Sequence, residues 1–450
     1  MTSLREILSL YIKISDTNLE SINLQWNYKT SDKNSILFLK ETKNFTNEKI
    51  QEVIEKNSYK IIITNSNIES RNVFCLSLEK WGDLQGKLIN YLYPLKDKVS
   101  IAITGTNGKS TTTFLIYQLL MIKEIKVILF GTNGVFLNGE KVEDFNMTTP
   151  HCFQFFKALH DYQDQYDFIV FEYSSHALEQ NRLLNYKIDA FGWTNFTQDH
   201  LDYHESMDNY FNAKMKIKES LKERAFGRYS KLSLYEAKKL EMGSEYISQA
   251  KNFSLPHLPN FLKVKYNKDN LDLALSILEV FEIRYLEEEM NSLTPLEGRF
   301  NTFNYKNSLI IIDFAHTPDA LENLLNGCRQ SFNELKILSL FGCGGDRDKS
   351  KRPLMGEVAI RCSDHVIITS DNSRYEGPKD IIEDITKDLA SSNFQICIDR
   401  KEAIIKALNF VGNENWVIVI AGKGHEPYLD VKGIKTPYSD IEYVMEKIND

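Results

Sequence analysis

Short runs of β-branched and other apolar residues recur along the 450-residue chain, and longer amphipathic stretches separate them. This alternation is typical of βαβ units, because a parallel strand needs a crossover connection that packs on the face of the sheet. The pattern predicts an α/β protein built on mostly parallel sheets. The runs are residues 59–64, 99–104, 127–130, 168–172, 310–314, 337–341, 365–369 and 417–421.

The length of the chain indicates more than one domain, since 450 residues exceed what one hydrophobic core usually organises. Pro94 lies in a segment that precedes the strand predicted at 99–104, and a fresh series of strand and helix units starts after residue 298. We therefore expect three domains, at residues 1–97, 98–297 and 298–450.

Composition excludes several classes of protein. The chain has 54 Lys and Arg against 62 Asp and Glu, a net charge of −8, and no long basic stripe that would neutralise a nucleic-acid backbone. Its apolar runs are strand-length, far short of the ~20 residues that a membrane-spanning helix needs. Six scattered cysteines and a start without a secretory pattern favour reduced thiols inside the cell. We expect a cytoplasmic enzyme with no nucleic-acid partner and no membrane insertion.

A glycine-rich loop follows the strand predicted at 99–104 and leads into an apolar helix. Its backbone N–H groups would close around phosphate oxygens, Lys109 would bring a charge to the β- and γ-phosphates, and Ser110 would hold Mg²⁺. The alternative is an ordinary glycine turn, with Ser110 and Thr111 capping the helix. The common Gly-x4-Gly-Lys-Ser spacing would need a glycine at Ile103, so the loop is a variant. The candidate nucleotide-binding residues here are Gly105, Thr106, Asn107, Gly108, Lys109, Ser110 and Thr111.

A second group of polar residues follows the strand predicted at 168–172. Glu172 ends that strand, where ligands of open α/β sheets collect, and is a candidate Mg²⁺ ligand. His200 and His204 have the i, i+4 spacing of a zinc helix, but Leu201 stands where a metalloprotease needs glutamate. We therefore favour magnesium and phosphate chemistry over zinc. The alternative places these side chains on a surface helix and turn.

Together these stretches and others between residues 100 and 430 resemble the Mur ligases, ATP-dependent amide-forming enzymes of peptidoglycan precursor synthesis. Within the family the resemblance is closest to members that add meso-diaminopimelate to UDP-N-acetylmuramoyl-L-alanyl-D-glutamate. It implies an N-terminal domain for the UDP substrate, a central P-loop-type ATPase domain and a Rossmann-like C-terminal domain. The matching stretches are residues 104–112, 146–150, 172–182, 195–204, 213–214, 298–299, 313–320, 341–353, 371–374 and 422–426.

The resemblance also implies roles for particular residues. ATP would be a co-substrate, and Lys109, Glu172, His200 and Lys214 would be catalytic. Lys214 would be carbamylated by CO2, which turns a cation into a metal ligand. Mg²⁺ would be bound by Ser110, Glu172, His200 and that carbamate. Further nucleotide contacts would be made by Asn270, Arg299, Asp313 and His316.

The two other substrates are assigned in the same way. Thr148, Thr149, Ser174, Gln180 and Arg182 match positions that hold the muramoyl dipeptide, although Thr148 and Thr149 could instead cap a helix with Pro150 in its first turn. Contacts to diaminopimelate are implied for Arg347, Asp371, Asn372, Arg374, Gly422 and Glu426.

Charge supports diaminopimelate as the amino acid. This substrate has a distal carboxylate that lysine lacks, and Arg374 can grip it with a bidentate fork while Glu426 accepts from the ammonium. The alternative is a surface salt bridge for either residue. Ser373 replaces the proline of the family's usual Asp-Asn-Pro-Arg stretch.

The resemblance is weaker in two regions. Residues 27–38 lack the arginine and glycines that the family uses near the uracil and diphosphate, and residues 214–267 are shorter and more basic than the usual central domain. Three alternatives stay open: a lysine-adding ligase, a paralogous ligase with a non-UDP acceptor, and a catalytically silent nucleotide-binding regulator. The expected partners are small-molecule substrates, and the expected state is a monomer.

Overall fold

The computed structural model describes residues 3–14, 19–29, 34–42, 45–56, 59–145, 147–390 and 393–449. Asn146, part of one matching stretch, and residues 30–33, part of the divergent one, lie outside the described residues. The chain forms two compact units. One consists of Met1–Lys98, Pro150–Tyr166 and Gln180–Tyr186, and the other of Val99–Thr149, Asp167–Glu179 and Lys187–Asp450.

The first unit contains a four-stranded parallel sheet in the order β1-β2-β3-β4. Its two central strands are buried on both faces, which explains their continuous apolar sequences. The strands are β1 (Asn23–Gln25), β2 (Ser35–Leu39), β3 (Ile61–Thr64) and β4 (Val73–Cys75). The helices are α1 (Leu4–Ser9), α2 (Asn47–Lys56), α3 (Leu78–Leu92) and, from the second segment of this unit, α5 (Cys152–Asp161).

The second unit contains an eight-stranded sheet in the order β12-β11-β10-β5-β9-β6-β7-β8. All neighbours pair in parallel except β6–β7 and β7–β8, which are antiparallel. The strands are β5 (Val99–Thr104), β6 (Val127–Gly131), β7 (Gly134–Leu137), β8 (Glu140–Glu143), β9 (Phe168–Glu172), β10 (Ile188–Asn195), β11 (Leu221–Lys231) and β12 (Ile247–Gln249).

Helices that accompany this sheet include α4 (Lys109–Ile122), which directly follows the glycine-rich loop. It is apolar on several faces because it packs between the sheet and α11. The others are α6 (Ser175–Glu179), α7 (Leu201–His204), α8 (Met207–Met215), α9 (Leu234–Glu241), α10 (Asn260–Lys263) and α11 (Lys265–Val280), with 3₁₀ turns at Lys216–Ser220 and Glu287–Ser292.

A six-stranded sheet in the same unit has the order β13-β14-β18-β15-β16-β17 and is parallel except for the edge strand β13. Its strands are β13 (Asn301–Tyr305), β14 (Ser308–Asp313), β15 (Lys336–Phe341), β16 (His365–Ile368), β17 (Phe394–Ile396) and β18 (Trp416–Ala421). Its helices are α12 (Pro318–Ser331), α13 (Lys351–Cys362), α14 (Pro378–Thr386), α15 (Arg400–Val411) and α16 (Asp440–Asn449). A hairpin of β19 (Tyr428–Val431) and β20 (Ile434–Pro437) follows β18.

The predicted α/β fold with mostly parallel sheets is confirmed. Each of the eight apolar runs forms a strand, with ends that differ from the prediction by at most two residues. The division into three domains, with its two boundaries, stays a prediction. Within the described ranges, no helix has the length and apolar character needed to span a membrane.

Candidate active site

The glycine-rich loop connects β5 to α4 with a backbone that only glycine readily adopts. Gly105 and Gly108 have φ values of 137° and 82°. A Cβ atom on Gly105 would clash with Thr194 Oγ1, and one on Gly108 would lie 2.5 Å from Asn270 Oδ1. Gly108 is the N-cap of α4 and no side chain caps it, so the alternative of capping by Ser110 and Thr111 is wrong. The first N–H groups of the helix are thus left to bind an anion.

Lys109 folds back over this loop. Its Nζ donates to the carbonyls of Gly105 and Thr106 at 3.1 and 2.7 Å. Burial lowers the pKa of Lys109, and the carboxylates of Glu172 and Asp199 oppose that shift. The ammonium therefore lies at the mouth of the loop, where a phosphate oxygen could replace its backbone acceptors.

Glu172, at the end of β9, lies against the first turn of α4. Its carboxylate accepts from Ser110 Oγ at 3.0 Å and from the backbone N–H of Thr132 at 2.8 Å. The residue is only 1% exposed. A buried carboxylate beside a serine hydroxyl is an oxygen donor set of the kind that Mg²⁺ prefers, so these residues fit the metal that the family resemblance implies.

His200 and His204 do not form a zinc pair. His200 lies before α7 in a left-handed conformation with φ of 54°, and His204 Nε2 is 3.0 Å from Ser175 Oγ. Burial lowers the pKa of His200 to about 3, which leaves a neutral imidazole able to ligate a metal. Over the parts of the chain that the structure describes, no three His, Cys, Asp or Glu side chains are grouped to hold a metal by themselves. A metal here would need Ser110 or a modified Lys214 as well.

Lys214 is 1% exposed, on α8, directly beside the phosphate loop. Its Nζ donates to Gly105 O at 2.7 Å and lies 4.6 Å from the centre of the Tyr210 ring. Burial holds the pKa of Lys214 well below its usual value, and repulsion from Lys109 adds to this effect. A lowered pKa favours the neutral amine, which is the form that can attack CO2.

Residues that flank the first two strands of the six-stranded sheet also reach the phosphate loop. Arg299 Nη2 donates to Ser110 Oγ at 3.4 Å, and the guanidinium lies 4.5 Å from the Phe314 ring centre. Arg299 Nε is buried and has no hydrogen-bond partner among the described residues, so this donor fits the binding of an anion. Asp313 accepts from the N–H groups of Phe300 and Ala315 at 2.9 and 2.8 Å, so it fixes the backbone around Arg299.

The residues around the phosphate loop and those that flank β13 and β14 line one cavity of about 790 Å³. Asp319, which was not assigned from the sequence, also lines the cavity, and its carboxylate accepts from Asn107 Nδ2 at 3.0 Å. Asp319 lies inside the matching stretch 313–320, but nothing in that stretch predicts its partner. Candidate residues that line the cavity are Thr106, Asn107, Gly108, Lys109, Ser110, Thr111, Thr148, Glu172, His200, Asn270, Arg299, Asp313, His316 and Arg347.

The residues assigned to the dipeptide are divided between the two units, with Thr148, Thr149 and Ser174 in one and Gln180 and Arg182 in the other. Thr149 is fully buried, and its hydroxyl donates to the backbone of Glu172 at 2.7 Å and accepts from that of Ser174 at 3.0 Å.

The alternative that made Thr148 or Thr149 a helix cap is wrong. Helix α5 starts at Cys152 and is capped by His151, whose ring accepts from Phe153 N. Pro150 lies before the cap instead of in the first turn, and the Thr149 hydroxyl is already used within its own unit.

The residues assigned to the amino acid lie on neighbouring loops after β15, β16 and β18. Asn372 Nδ2 donates to Glu426 Oε2 at 2.7 Å, and Arg374 Nη1 donates to Gly345 O at 2.7 Å. Burial raises the pKa of Glu426, against the opposing effect of Lys423. Lys423 was missed from sequence: it is fully buried, and its Nζ lies 3.2 Å from both Asn372 Oδ1 and Glu426 Oε2.

A strand, a glycine-rich loop with a free helix N-terminus and a lysine over the loop define the phosphate-binding P-loop class of α/β proteins. Comparison with known families is more specific. Residues 103–312 match the Mur ligase middle domain, and residues 298–424 match the Mur ligase, glutamate ligase domain.

Known proteins agree with this match. The UDP-N-acetylmuramoyl-L-alanyl-D-glutamate--2,6-diaminopimelate ligase 1 of Clostridium acetobutylicum is 32% identical over 465 residues, which cover 96% of this chain and 95% of the relative. A solved structure of a ligase with that same reaction name has a TM-score of 0.61 at 26% identity, covering 100% of this chain and 99% of the other. The MurF ligase of Thermotoga maritima, solved with ADP, has a TM-score of 0.62 at 16% identity over 97% and 98% of the two chains, which shows the shared fold.

The chain belongs to the Mur ligase family. The resemblance inferred from the sequence motifs is therefore confirmed.

Proposed function

We propose that the protein is an ATP-dependent ligase that joins meso-diaminopimelate to UDP-N-acetylmuramoyl-L-alanyl-D-glutamate in peptidoglycan precursor synthesis. The observation that carries this proposal is that the phosphate loop, Glu172 and Arg347 line one and the same cavity of about 790 Å³. Such a ligase must bring a phosphate donor close to an amine. The cavity joins the candidate nucleotide residues to a candidate amino-acid residue, and relatives named for this reaction match nearly the full chain.

ATP would place its phosphates on the N–H groups of the glycine-rich loop, with Lys109 and Arg299 as the cations that face them. Mg²⁺ would be held by Ser110, Glu172, His200 and a carbamate on Lys214. When bound, Mg²⁺ neutralises charge on the transferred phosphoryl group. Asn270, Asp313 and His316 would position the nucleotide from the other walls of the cavity.

The reaction would take place in two steps. The γ-carboxylate of the D-glutamyl residue attacks the ATP γ-phosphate, which gives an acyl phosphate and ADP. The free amine of diaminopimelate then attacks the acyl carbon, loses a proton and expels phosphate as the amide forms. Lys109 and Arg299 supply fixed positive charge throughout, and such electrostatic positioning is the main contribution that a protein makes to phosphoryl transfer.

The choice of amino acid would depend on Arg374. Its guanidinium is bound only to Gly345 O among its described side-chain hydrogen bonds, so it keeps donors for the distal carboxylate of diaminopimelate. Glu426 and Asn372, joined at 2.7 Å, would bind the distal ammonium beside it. L-Lysine has no distal carboxylate and would leave Arg374 without a charged partner.

The remaining assignments complete the proposal. The dipeptide would be held by Thr148, Thr149, Ser174, Gln180 and Arg182, and its UDP group by residues 1–97. Residues 98–297 would be the ATPase domain and residues 298–450 the amino-acid domain. The enzyme would act as a cytoplasmic monomer on small-molecule substrates alone.

The test is phosphate release by the purified protein with Mg-ATP and UDP-N-acetylmuramoyl-L-alanyl-D-glutamate, with either meso-diaminopimelate or L-lysine added. We expect release and tripeptide product with diaminopimelate only. The Lys109→Ala variant should lose at least ~100-fold in turnover, because one preorganised charge on the phosphates contributes about that much. Lys56→Ala, at an exposed helical ion pair, is the matched control and should be fully active.

Each other outcome is informative. Release with lysine alone would replace diaminopimelate by lysine as the substrate. No release with either amino acid would favour a ligase with a non-UDP acceptor, while binding of ATP without any turnover would favour a regulator. Full activity of Lys109→Ala would remove the phosphate loop from the reaction.

The Arg374→Ala variant tests the amino-acid site. We expect the KM for diaminopimelate to rise ~100-fold or more, because a charged partner of the distal carboxylate is lost, while the KM for ATP changes little. Arg361→Ala removes a surface arginine, 62% exposed and paired with Glu322, and serves as the control. An unchanged KM for diaminopimelate in Arg374→Ala would show that another group binds the carboxylate.

A further inference from the structure

We infer that Arg400 and Asp440 are positioning residues that hold two loops of the amino-acid site in register. This inference rests on the proposed function, since it concerns the residues assigned there to diaminopimelate. Neither residue lines the cavity, and neither was assigned from sequence. Their effect would be exerted through the backbone that precedes Asp371 and Gly422.

The two side chains form a fully buried ion pair. Arg400, the first residue of α15, donates through Nε and Nη2 to the two carboxylate oxygens of Asp440, the first residue of α16, at 2.9 and 2.7 Å. The exposed fraction of each side chain is 0%. A bidentate pair of this kind fixes the orientation of the guanidinium plane.

The remaining donors of Arg400 reach the ends of two strands. Nη2 donates to Ala421 O at 2.9 Å, and Nη1 to Ser370 O at 3.4 Å. Ala421 ends β18 and precedes Gly422, whereas Ser370 follows β16 and precedes Asp371. One guanidinium therefore contacts both loops one residue before each enters the candidate site.

Backbone hydrogen bonds within the sheet do not join these two loops directly. In the sheet order β14-β18-β15-β16, strand β15 separates the two strands, so β18 and β16 share no hydrogen bonds. The loops nevertheless have to meet, because Asn372 on one donates to Glu426 on the other at 2.7 Å. Arg400 supplies a link across the intervening strand.

The carboxylate of Asp440 extends the same link to a third segment. Tyr438 OH donates to Asp440 Oδ1 at 2.8 Å, and Tyr438 N donates to Pro427 O, directly after Glu426. The ion pair thus fixes the entry of the loop at Ala421 and, through Tyr438, its exit at Pro427.

Stability alone does not account for such a pair. A buried ion pair gains little net free energy over a well-packed apolar pair of the same size, because both charges lose their hydration. What an apolar pair cannot supply is the two N–H groups that bind Ala421 O and Ser370 O. The geometry points to alignment of the site as the property that the pair provides.

The test compares Arg400→Lys, which keeps the charge but not the bidentate geometry, with Leu408→Ala. Leu408 is buried on the same helix, in a core cluster that contains no residue of 371–374 or 422–426, so its loss opens a cavity away from the two loops. For Arg400→Lys we expect the KM for diaminopimelate to rise ~10- to 100-fold, since small misplacement of binding groups has effects of that size. The KM for ATP should stay within about twofold. Leu408→Ala should lower the Tm but leave both KM values unchanged.

A second readout does not depend on catalysis. Amide hydrogen exchange at residues 371–374 and 422–426 should become faster in Arg400→Lys and not in Leu408→Ala. Tyr438→Phe, a milder variant that keeps the ion pair, should show faster exchange at 422–426 alone. If Arg400→Lys does not fold, wild-type exchange at 422–426 in Tyr438→Phe would overturn the link from the ion pair to Pro427.

Failure of the two proposals can be told apart. Wild-type protein that does not ligate diaminopimelate overturns the proposed function, while the exchange measurement still tests the link between the loops. An active wild type whose Arg400→Lys variant shows equal changes in both KM values, or exchange equal to that of Leu408→Ala, would overturn the positioning role.

Discussion

Lys214 lies in surroundings that disfavour its charged form. The side chain is 1% exposed, and the positive charge of Lys109 lowers its pKa further. Its Nζ has one backbone acceptor, Gly105 O at 2.7 Å. Burial is the larger cause of the lowered pKa and repulsion the smaller, so at a given pH a larger fraction of this amine is neutral than of an ordinary lysine.

A neutral amine at this position predicts carbamylation. Protein incubated with isotopically labelled bicarbonate should give a carbamate NMR signal that disappears in Lys214→Gln, because CO2 reacts only with the unprotonated amine. Lys216→Gln, two residues away at a half-exposed ion pair with Glu179, should keep the signal. Wild-type protein without a labelled carbamate would contradict the assignment of Lys214 as a metal ligand.

At the residue scale, sequence reasoning identified side chains but not their partners. Lys109, Ser110 and Glu172 could be assigned because strand ends and glycine-rich loops meet at one edge of a parallel sheet. Asp319 and Lys423 were not assigned, since each acquires its importance from hydrogen bonds to residues distant in sequence. No spacing rule encodes those contacts.

At the scale of elements, the segment that joins the two sheets of the second unit has a very close backbone contact. Gly298 has φ of 75°, and a Cβ atom there would overlap the backbone of Gly424 and His425. Arg299 follows immediately and reaches Ser110 at 3.4 Å. Gly298 thus contacts the loop that carries Glu426, and the next residue, Arg299, contacts Ser110 at the phosphate loop.

This contact predicts a large effect for Gly298→Ala. The positive φ alone should cost about 1 kcal/mol, and overlap with backbone that cannot move aside should raise the loss in unfolding free energy to ~3 kcal/mol or more. Gly243→Ala separates the two causes, because Gly243 has φ of 83° and nothing within 4 Å of an added Cβ. Denaturant unfolding measures both; equal losses would mean that the contact with His425 is not tight.

Element boundaries show what the sequence can and cannot predict. Strands buried on both faces, such as β5 and β18, were recognisable because their apolar runs are continuous. The alternative that placed a cap of α5 at Thr149 was wrong, since the Thr149 hydroxyl bonds to the backbone of Glu172 instead. A tertiary hydrogen bond there outweighs the local capping preference.

At the scale of the whole molecule, two groups whose pKa values are lowered by folding make stability depend on pH. Hydrogen bonds from Arg352 lower the pKa of Glu376 to about 2, with both guanidinium nitrogens at 2.9 and 3.0 Å from the carboxylate. Burial lowers the pKa of His425 to about 3, and its Nδ1 has no hydrogen-bond partner among the described residues. Both pKa values are lower in the folded state than in the unfolded chain.

The sign of the effect is the same for both groups, but the pH windows differ. A group whose pKa is lowered by folding contributes its full share of stability when the pH is above its pKa in the unfolded chain. That contribution is lost as the pH falls from the pKa of the unfolded chain to the pKa of the folded protein. For His425 the loss begins below its ordinary pKa of 6.5 and continues to about 3. For Glu376 it begins below 4.5 and continues to about 2.

Unfolding free energies measured against pH should separate the two groups. His425→Gln should flatten the decline between about pH 7 and 4, because the unfolded chain then has one proton fewer to bind in that window. Glu376→Gln should lower stability at pH 7 by about 1–2 kcal/mol, a figure reduced for solvent screening, and this difference should vanish near pH 2. Arg361→Ala, at the exposed pair with Glu322, should follow the wild-type curve throughout. A Glu376→Gln curve parallel to that of the wild type down to pH 2 would mean that Arg352 does not bind this carboxylate in solution.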